Sequence, residues 1–171
     1  LVHNGIVENH EQLRRELLAE GVEFKSDTDT EVIVHLVARE LARLEADGSD
    51  ASLASGVTAA LASIEGYYAI AVLRTGEEPE LVAARQGPPL CFCVTAEGAW
   101  LASDVLALLP HSREIVFLED GDVASMTPGG YEVFAACGSS VERSAQEIAW
   151  REEDAGMGGY EHYMLKEIYE Q

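Results

Sequence analysis

The hydrophobic period of the chain changes once, near Tyr67, and that change constrains the fold more than any motif does. Ahead of it, apolar residues recur at helical spacing. Asn9, with Gln12 three residues on, makes a capping-box pattern, and Leu13, Leu17 and Leu18 give the helix one apolar face. Gly21 can close that helix in the left-handed conformation. Residues 22–24 suffice only for a strand fragment. Thr28 and Glu31 repeat the capping pattern and open a long helix carrying Ile33, Val37, Leu41 and Leu44 inward, with Gly48 at its end. A third helix is expected over 51–64, with Leu53, Val57, Leu61 and Ile64 inward, closing at Gly66.

From Tyr67 onward the period is that of strands. They are expected over 67–74, 80–85, 90–95, 99–103, 114–118, 123–127 and 131–136. Gly76 with Pro79, Gly87-Pro88-Pro89, Gly98, Asp120-Gly121 and Pro128-Gly129-Gly130 punctuate them as turns, and a helical stretch over 104–109 stops at Pro110. The strands read as a run of antiparallel hairpins. Residues 139–159 read as a last strand and a linker, and 160–171 resume a helical pattern. Helices grouped first and strands grouped later imply a layered α+β domain, not an alternating parallel α/β fold.

Charge limits the partners. Thirty-one acidic residues against 11 basic ones leave 11 − 31 = −20 on 171 residues, which excludes the basic footprint that nucleic acid or an anionic membrane surface demands. The longest apolar run, residues 67–73, is far short of the ~20 residues that span a bilayer. No basic region followed by an apolar stretch opens the chain, so no signal peptide is read, and a soluble cytoplasmic protein is expected. Cys91, Cys93 and Cys137 are an odd set, better suited to free thiols than to a disulfide framework. The chain starts at Leu1, in an apolar run that reads like the end of a strand entering a turn, and a missing N-terminal part is expected.

Most chemistry-bearing residues have ordinary explanations. Cys91 and Cys93 alternate in an apolar strand and pack as small hydrophobes. His3, His10, His35, His111 and His162 are scattered without metal-ligand spacing, so neither metal nor cofactor is expected. The run Glu152-Glu153-Asp154 reads as a solvated face, and Gly129-Gly130 and Gly158-Gly159 lack the strand-to-helix setting of phosphate loops. Two segments stand out. His3-Asn4-Gly5 sets an amide side chain beside a glycine N–H, a pair that can donate two hydrogen bonds to one oxyanion, though it also reads as an ordinary Asn-Gly turn. Asp29, in Thr28-Asp29-Thr30-Glu31, could accept from a substrate ammonium group, or simply be a carboxylate favoured by the helix dipole. Taken singly, the ordinary reading is favoured at both.

Together, His3-Asn4-Gly5-Ile6-Val7-Glu8-Asn9 and Ser26-Asp27-Thr28-Asp29-Thr30-Glu31 resemble the glutaminase domain of the glucosamine-6-phosphate synthases, which are N-terminal-nucleophile amidotransferases. The resemblance continues through Ala83-Ala84-Arg85, Gly87, Pro89-Leu90, Ala102-Ser103-Asp104 and Phe117-Leu118-Glu119-Asp120-Gly121-Asp122 to the closing segment 160–171, which is its most specific part. It implies a four-layer sandwich of helices on two stacked antiparallel sheets, incomplete at the N-terminus. Residues 1–150 would be the C-terminal portion of the glutaminase domain, and 151–171 the linker and the start of a sugar-isomerase domain.

It further implies an N-terminal cysteine nucleophile with its own α-amine as base. Asn4 and Gly5 match the oxyanion hole, and Asp29 the residue that holds the glutamine α-ammonium. Implied partners are glutamine, an isomerase domain on the same polypeptide and further copies in a homo-oligomer. Cys91, Cys93 and Cys137 do not match the nucleophile, and the Arg that would grip the substrate carboxylate is not found, so the 171 residues alone are expected to lack glutaminase activity. The alternatives are the glutaminase portion of an amidophosphoribosyltransferase-like or sugar-deglycating enzyme, and a non-catalytic binding module.

Overall fold

A computed structural model of the chain describes residues 1–76, 79–127 and 130–149. Three helices, α1 (His10–Ala19), α2 (Asp29–Ala46) and α3 (Leu53–Leu61), lie on one face of an antiparallel sheet. That sheet has the order β1-β2-β3-β7-β8, with β1 Val2–Val7, β2 Gly66–Arg74, β3 Glu80–Gln86, β7 Val123–Thr127 and β8 Gly130–Phe134. A second antiparallel sheet, β5-β4-β6-β9, stacks on its other face, with β4 Cys91–Thr95, β5 Gly98–Ala102, β6 Glu114–Phe117 and β9 Gln146–Glu147. The fold is α+β, as the grouped periods imply. Among the described residues the outer face of the second sheet carries only a 3₁₀ turn, Val105–Ala107, whose neighbour Leu108 packs on Cys91, Cys93 and Ile115.

Strand alternation explains the two main cores. On β2, Tyr68, Ile70 and Val72 point to the helices, where they meet Leu17, Ile33, Leu36 and Val57. The other face of the first sheet offers Ala69, Ala83 and Ala124, and these small residues admit Leu90, Phe92, Val116 and Leu118 from the second sheet. Phe92 also meets Tyr131 edge-on, at 5.0 Å between ring centroids.

The structure corrects several local expectations. The strands are not consecutive hairpins: the chain leaves the first sheet after β3, builds β4, β5 and β6, and returns so that β7 pairs with β3. Asn9 makes no side-chain cap on α1. Its amide instead donates to the Ser63 carbonyl at 2.9 Å and accepts from the Glu65 N–H at 3.0 Å, tying the start of α1 to the approach to β2. Thr28 does cap α2, accepting from the Glu31 N–H at 3.3 Å, whereas the Glu31 carboxylate accepts from the Lys25 and Ser26 amides. Residues 22–24 form no strand, α3 is shorter than 51–64, and 104–109 keep only a 3₁₀ turn. The turn expected at His3-Asn4-Gly5 is the interior of β1, which runs unbroken from Val2 to Val7. The helix expected over 160–171 lies outside the described residues.

The second sheet covers only part of the face it stacks on. On the β1–β2 side of that face Val2, Ile6, Tyr67 and Leu73 remain 72%, 66%, 61% and 57% exposed. This open margin, apolar except for Asn4, is where the candidate site lies.

Candidate active site

Among the described residues β1 is an edge strand, so one row of its backbone groups is not used by the sheet. The alternation can be read from two bonds: Glu8 N–H goes to the Glu65 carbonyl on the β2 side, at 2.8 Å, and Val7 N–H goes outward to Asp29, at 3.1 Å. Gly5 shares the parity of Val7, so its N–H also points to the open edge. Gly5 sits at φ +140°, and a Cβ there would overlap the Tyr67 carbonyl. Only glycine fits this strand position. Gly66, on the paired strand, is held in the same way against the Ile6 carbonyl.

Side chains on β1 divide between the two faces. Asn4 lies on the inner face with Val2 and Ile6, and lines a cavity of about 440 Å³ together with Ala69, Leu81, Leu90, Leu101 and Ser103. Two donors, the Asn4 carboxamide and the Gly5 N–H, therefore flank one margin of the sheet. His3 and Val7 turn to the helix side, where Val7 is fully buried in the core.

Asp29 reaches this edge because it is the first residue of α2. Its Oδ2 accepts the outward Val7 N–H, while its Oδ1 lies 3.6 Å from His3 Nδ1. The loop leading to it is tied down at several points. Arg14 donates to the Ser26 carbonyl at 2.7 Å and stacks over Phe24 at 4.2 Å from its ring centroid. The Ser26 hydroxyl, with the Lys25 and Ser26 amides and His35 adding to it, holds the Glu31 carboxyl down at about 2. The carboxylate at Asp29 is thus presented by a fixed frame. Asp29, remote in sequence from the adjacent pair Asn4 and Gly5, is thus brought to the same edge strand through its bond to Val7.

Sequence reading passed over His3. Its side chain is only 2% exposed, its Nδ1 lies 3.1 Å from the Thr30 hydroxyl, and its buried Nε2 has no hydrogen-bond partner among the described residues. An unsatisfied buried polar atom costs about 1–3 kcal/mol. Burial lowers the His3 pKa, and Asp29 acts against that shift. The usable signal was its place next to Asn4 on a strand, which sends the two side chains to opposite faces.

The cysteines lie elsewhere. Cys91 and Cys93 are buried on the outer side of the second sheet, and burial first, then Asp104, pushes the Cys91 thiol up to about 11. Cys137 is exposed beyond β8, the strand at the opposite edge of the first sheet from β1, and the Ser139 hydroxyl lowers its pKa. None of the three adjoins the Asn4–Gly5 edge. No cluster of potential metal ligands occurs among the described residues.

Stacked antiparallel sheets, a helical layer and this glycine-bearing edge strand define the N-terminal-nucleophile amidotransferase fold. A glutamine phosphoribosylpyrophosphate amidotransferase from B. subtilis superposes with a TM-score of 0.62 at 25% identity, over 79% of this chain and 28% of that one. A structure described as the allosteric regulatory enzyme of purine biosynthesis matches at a TM-score of 0.61, with 25% identity over 78% of this chain and 27% of its own.

Residues 1–110 match the family described as the glutamine amidotransferase domain, and the chain belongs to that family. Its whole length aligns with proteins named glutamine–fructose-6-phosphate aminotransferase [isomerizing]: 44% identical in Methanosarcina mazei, 44% in Thermus thermophilus and 38% in Aquifex aeolicus. The chain spans 27–28% of the length of these relatives.

Proposed function

We propose that the protein carrying this chain hydrolyses glutamine and delivers the ammonia to fructose 6-phosphate, forming glucosamine 6-phosphate. The observation that carries the reading is the bond of Asp29 to β1, the strand that bears Asn4 and Gly5, in a chain 44% identical along its whole length to an aminotransferase of that name. The amidophosphoribosyltransferase alternative has weaker support, at 25% identity.

In this reading Asp29 takes the α-ammonium of glutamine, and the side-chain carbonyl oxygen lies between the Asn4 carboxamide and the Gly5 N–H. A thiolate attacks the amide carbon, and the developing oxyanion is stabilised by those two donors. The C–N bond then breaks with proton transfer to the leaving nitrogen, releasing ammonia and leaving a thioester. Water cleaves the thioester to glutamate. The thiolate belongs to the N-terminal cysteine that the family likeness implies, and not to Cys91, Cys93 or Cys137. We place the end of the glutaminase domain near residue 150, with 151–171 leading towards the isomerase half.

The test is steady-state glutamine hydrolysis by the whole protein. Asn4→Ala removes one oxyanion donor and should lower the rate about a hundredfold, roughly 3 kcal/mol. A change under threefold would remove Asn4 from that role. Asp29→Ala should raise KM for glutamine, and an unchanged KM would remove Asp29.

A further inference from the structure

We propose that His3 is a positioning residue for glutamine binding: from the face of β1 opposite Asn4, its neutral imidazole fixes the rotation of the Asp29 carboxylate through Nδ1. The inference rests on the reading of Asp29 as the holder of the substrate ammonium. Asp29 Oδ2 is already bound by the Val7 amide, so Oδ1 is the oxygen left for a ligand. That is the oxygen His3 Nδ1 approaches to 3.6 Å, while the same nitrogen lies 3.1 Å from Thr30, the next residue of α2.

The tautomer follows from electrostatics. With its proton on Nδ1, the ring turns a positive N–H edge towards the carboxylate and donates to the Thr30 hydroxyl, leaving Nε2 a bare acceptor. With its proton on Nε2, the ring would face the carboxylate with a lone pair and strand an N–H donor in the core. The doubly protonated ring would neutralise Asp29 and compete with the incoming ammonium, and the near-complete burial of the side chain opposes that charge. His3 therefore sets the carboxylate without saturating it.

The choice of nitrogen makes the test specific. An asparagine amide nitrogen can occupy the place of Nδ1, whereas a glutamine amide nitrogen falls nearer to Nε2. In the whole protein, with glutamine as substrate, His3→Leu should raise KM about tenfold with kcat within about twofold, the signature of lost ground-state binding. His3→Asn should recover most of that affinity, and His3→Gln should behave like His3→Leu. Combined with Asp29→Ala, His3→Leu should add nothing further, because it acts through that carboxylate.

Equal behaviour of the Asn and Gln variants, or a loss in kcat at constant KM, would overturn the inference. If His3→Leu does not fold, the Asn–Gln comparison decides. Asp29→Ala separates the two readings. If it leaves KM unchanged, the role of Asp29 fails and takes this inference with it; if it raises KM and His3→Leu does not, only the role of His3 fails.

Discussion

At the residue scale, Gly5 shows how a local signal can be legible and its context not. Asn-Gly is a strong hairpin signal, and Asn4-Gly5 reads as a turn from sequence alone. The pairing of β1 with β2, some sixty residues on, overrides it: Gly5 lies opposite Tyr68 inside a regular ladder. The need for glycine survives the change of setting, because φ +140° and the Tyr67 carbonyl leave no room for a Cβ. Gly5→Ala should therefore push β1 away from β2, costing about 2–4 kcal/mol through backbone strain and steric overlap. It should also lower glutamine hydrolysis along with stability, whereas Asn4→Ala should lower hydrolysis while leaving the melting temperature within a degree or so of the parent. Paired thermal melts and rate measurements check this, and a Gly5→Ala protein as stable as the parent would disprove it. Asp29 was legible for a different reason. Its position is fixed by a cap and a helix start a few bonds away, both local features, and only its contact with Val7 needed the fold.

At the element scale, the helices and most strands were legible because their apolar periods are long, and the failures fall where a polar side chain chooses a tertiary partner over a local one. Asn9 is one case, spending its amide on the segment before β2. Glu80 is another, and nothing in its sequence setting announces it. This buried carboxylate at the start of β3 accepts from the first amide of α3, Leu53 N–H, at 3.1 Å, and from Arg74 at 2.8 Å. Its other oxygen accepts from the Ser125 hydroxyl on β7 at 2.9 Å. Glu80 thus joins a helix N-terminus to two strands, with the dipole favouring its charge. Glu80→Ala should cost about 2 kcal/mol by leaving those donors unpaired, lowering the melting midpoint by roughly 4–8 °C. A shift below a degree would mean that α3 is held by its apolar face alone.

Glu31 adds a pH dependence to the same layer. Its folded pKa is about 2, against 4.5 for an ordinary glutamate, so the stabilisation is complete above the ordinary value. It is lost as pH falls from about 4.5 towards 2, when the Ser26 and Lys25 donors lose their anionic acceptor. Glu31→Gln should flatten that part of the acid unfolding curve and leave the neutral side sloping as before. An acid limb of unchanged steepness would refute the assignment.

At the scale of the whole molecule, the stacking of two unequal sheets and the charge pull in different directions. The helix–sheet and sheet–sheet cores hold the layers together over β3, β7 and β8, and the β1–β2 margin stays open with Asn4 on it. Outside those cores the surface is dominated by carboxylates. Even if each of the 11 basic residues satisfied one acid, 31 − 11 = 20 acidic residues would remain without a cationic partner. Several arginines serve more than one carboxylate at once, as Arg143 does with Glu119 and Asp122, and Arg39 with Glu20 and Glu40. Repulsion among the remainder acts on the compact state more than on the expanded chain, so screening should favour folding. The Debye length falls from about 10 Å at 0.1 M to about 3 Å at 1 M, which removes most of that repulsion while weakening exposed pairs worth at most about 1 kcal/mol each. A net gain on the order of 1 kcal/mol would raise the melting midpoint by about 3 °C for a chain of this size. The form of the curve identifies the cause. Screening delivers most of its gain below a few tenths molar potassium chloride and then levels off, whereas preferential exclusion of salt from apolar surface keeps rising with concentration. A midpoint that climbs early and flattens assigns the effect to the charge of −20. One that is flat throughout, or that falls, would mean the arginine pairs contribute more to holding the layers than the unpaired carboxylates take away.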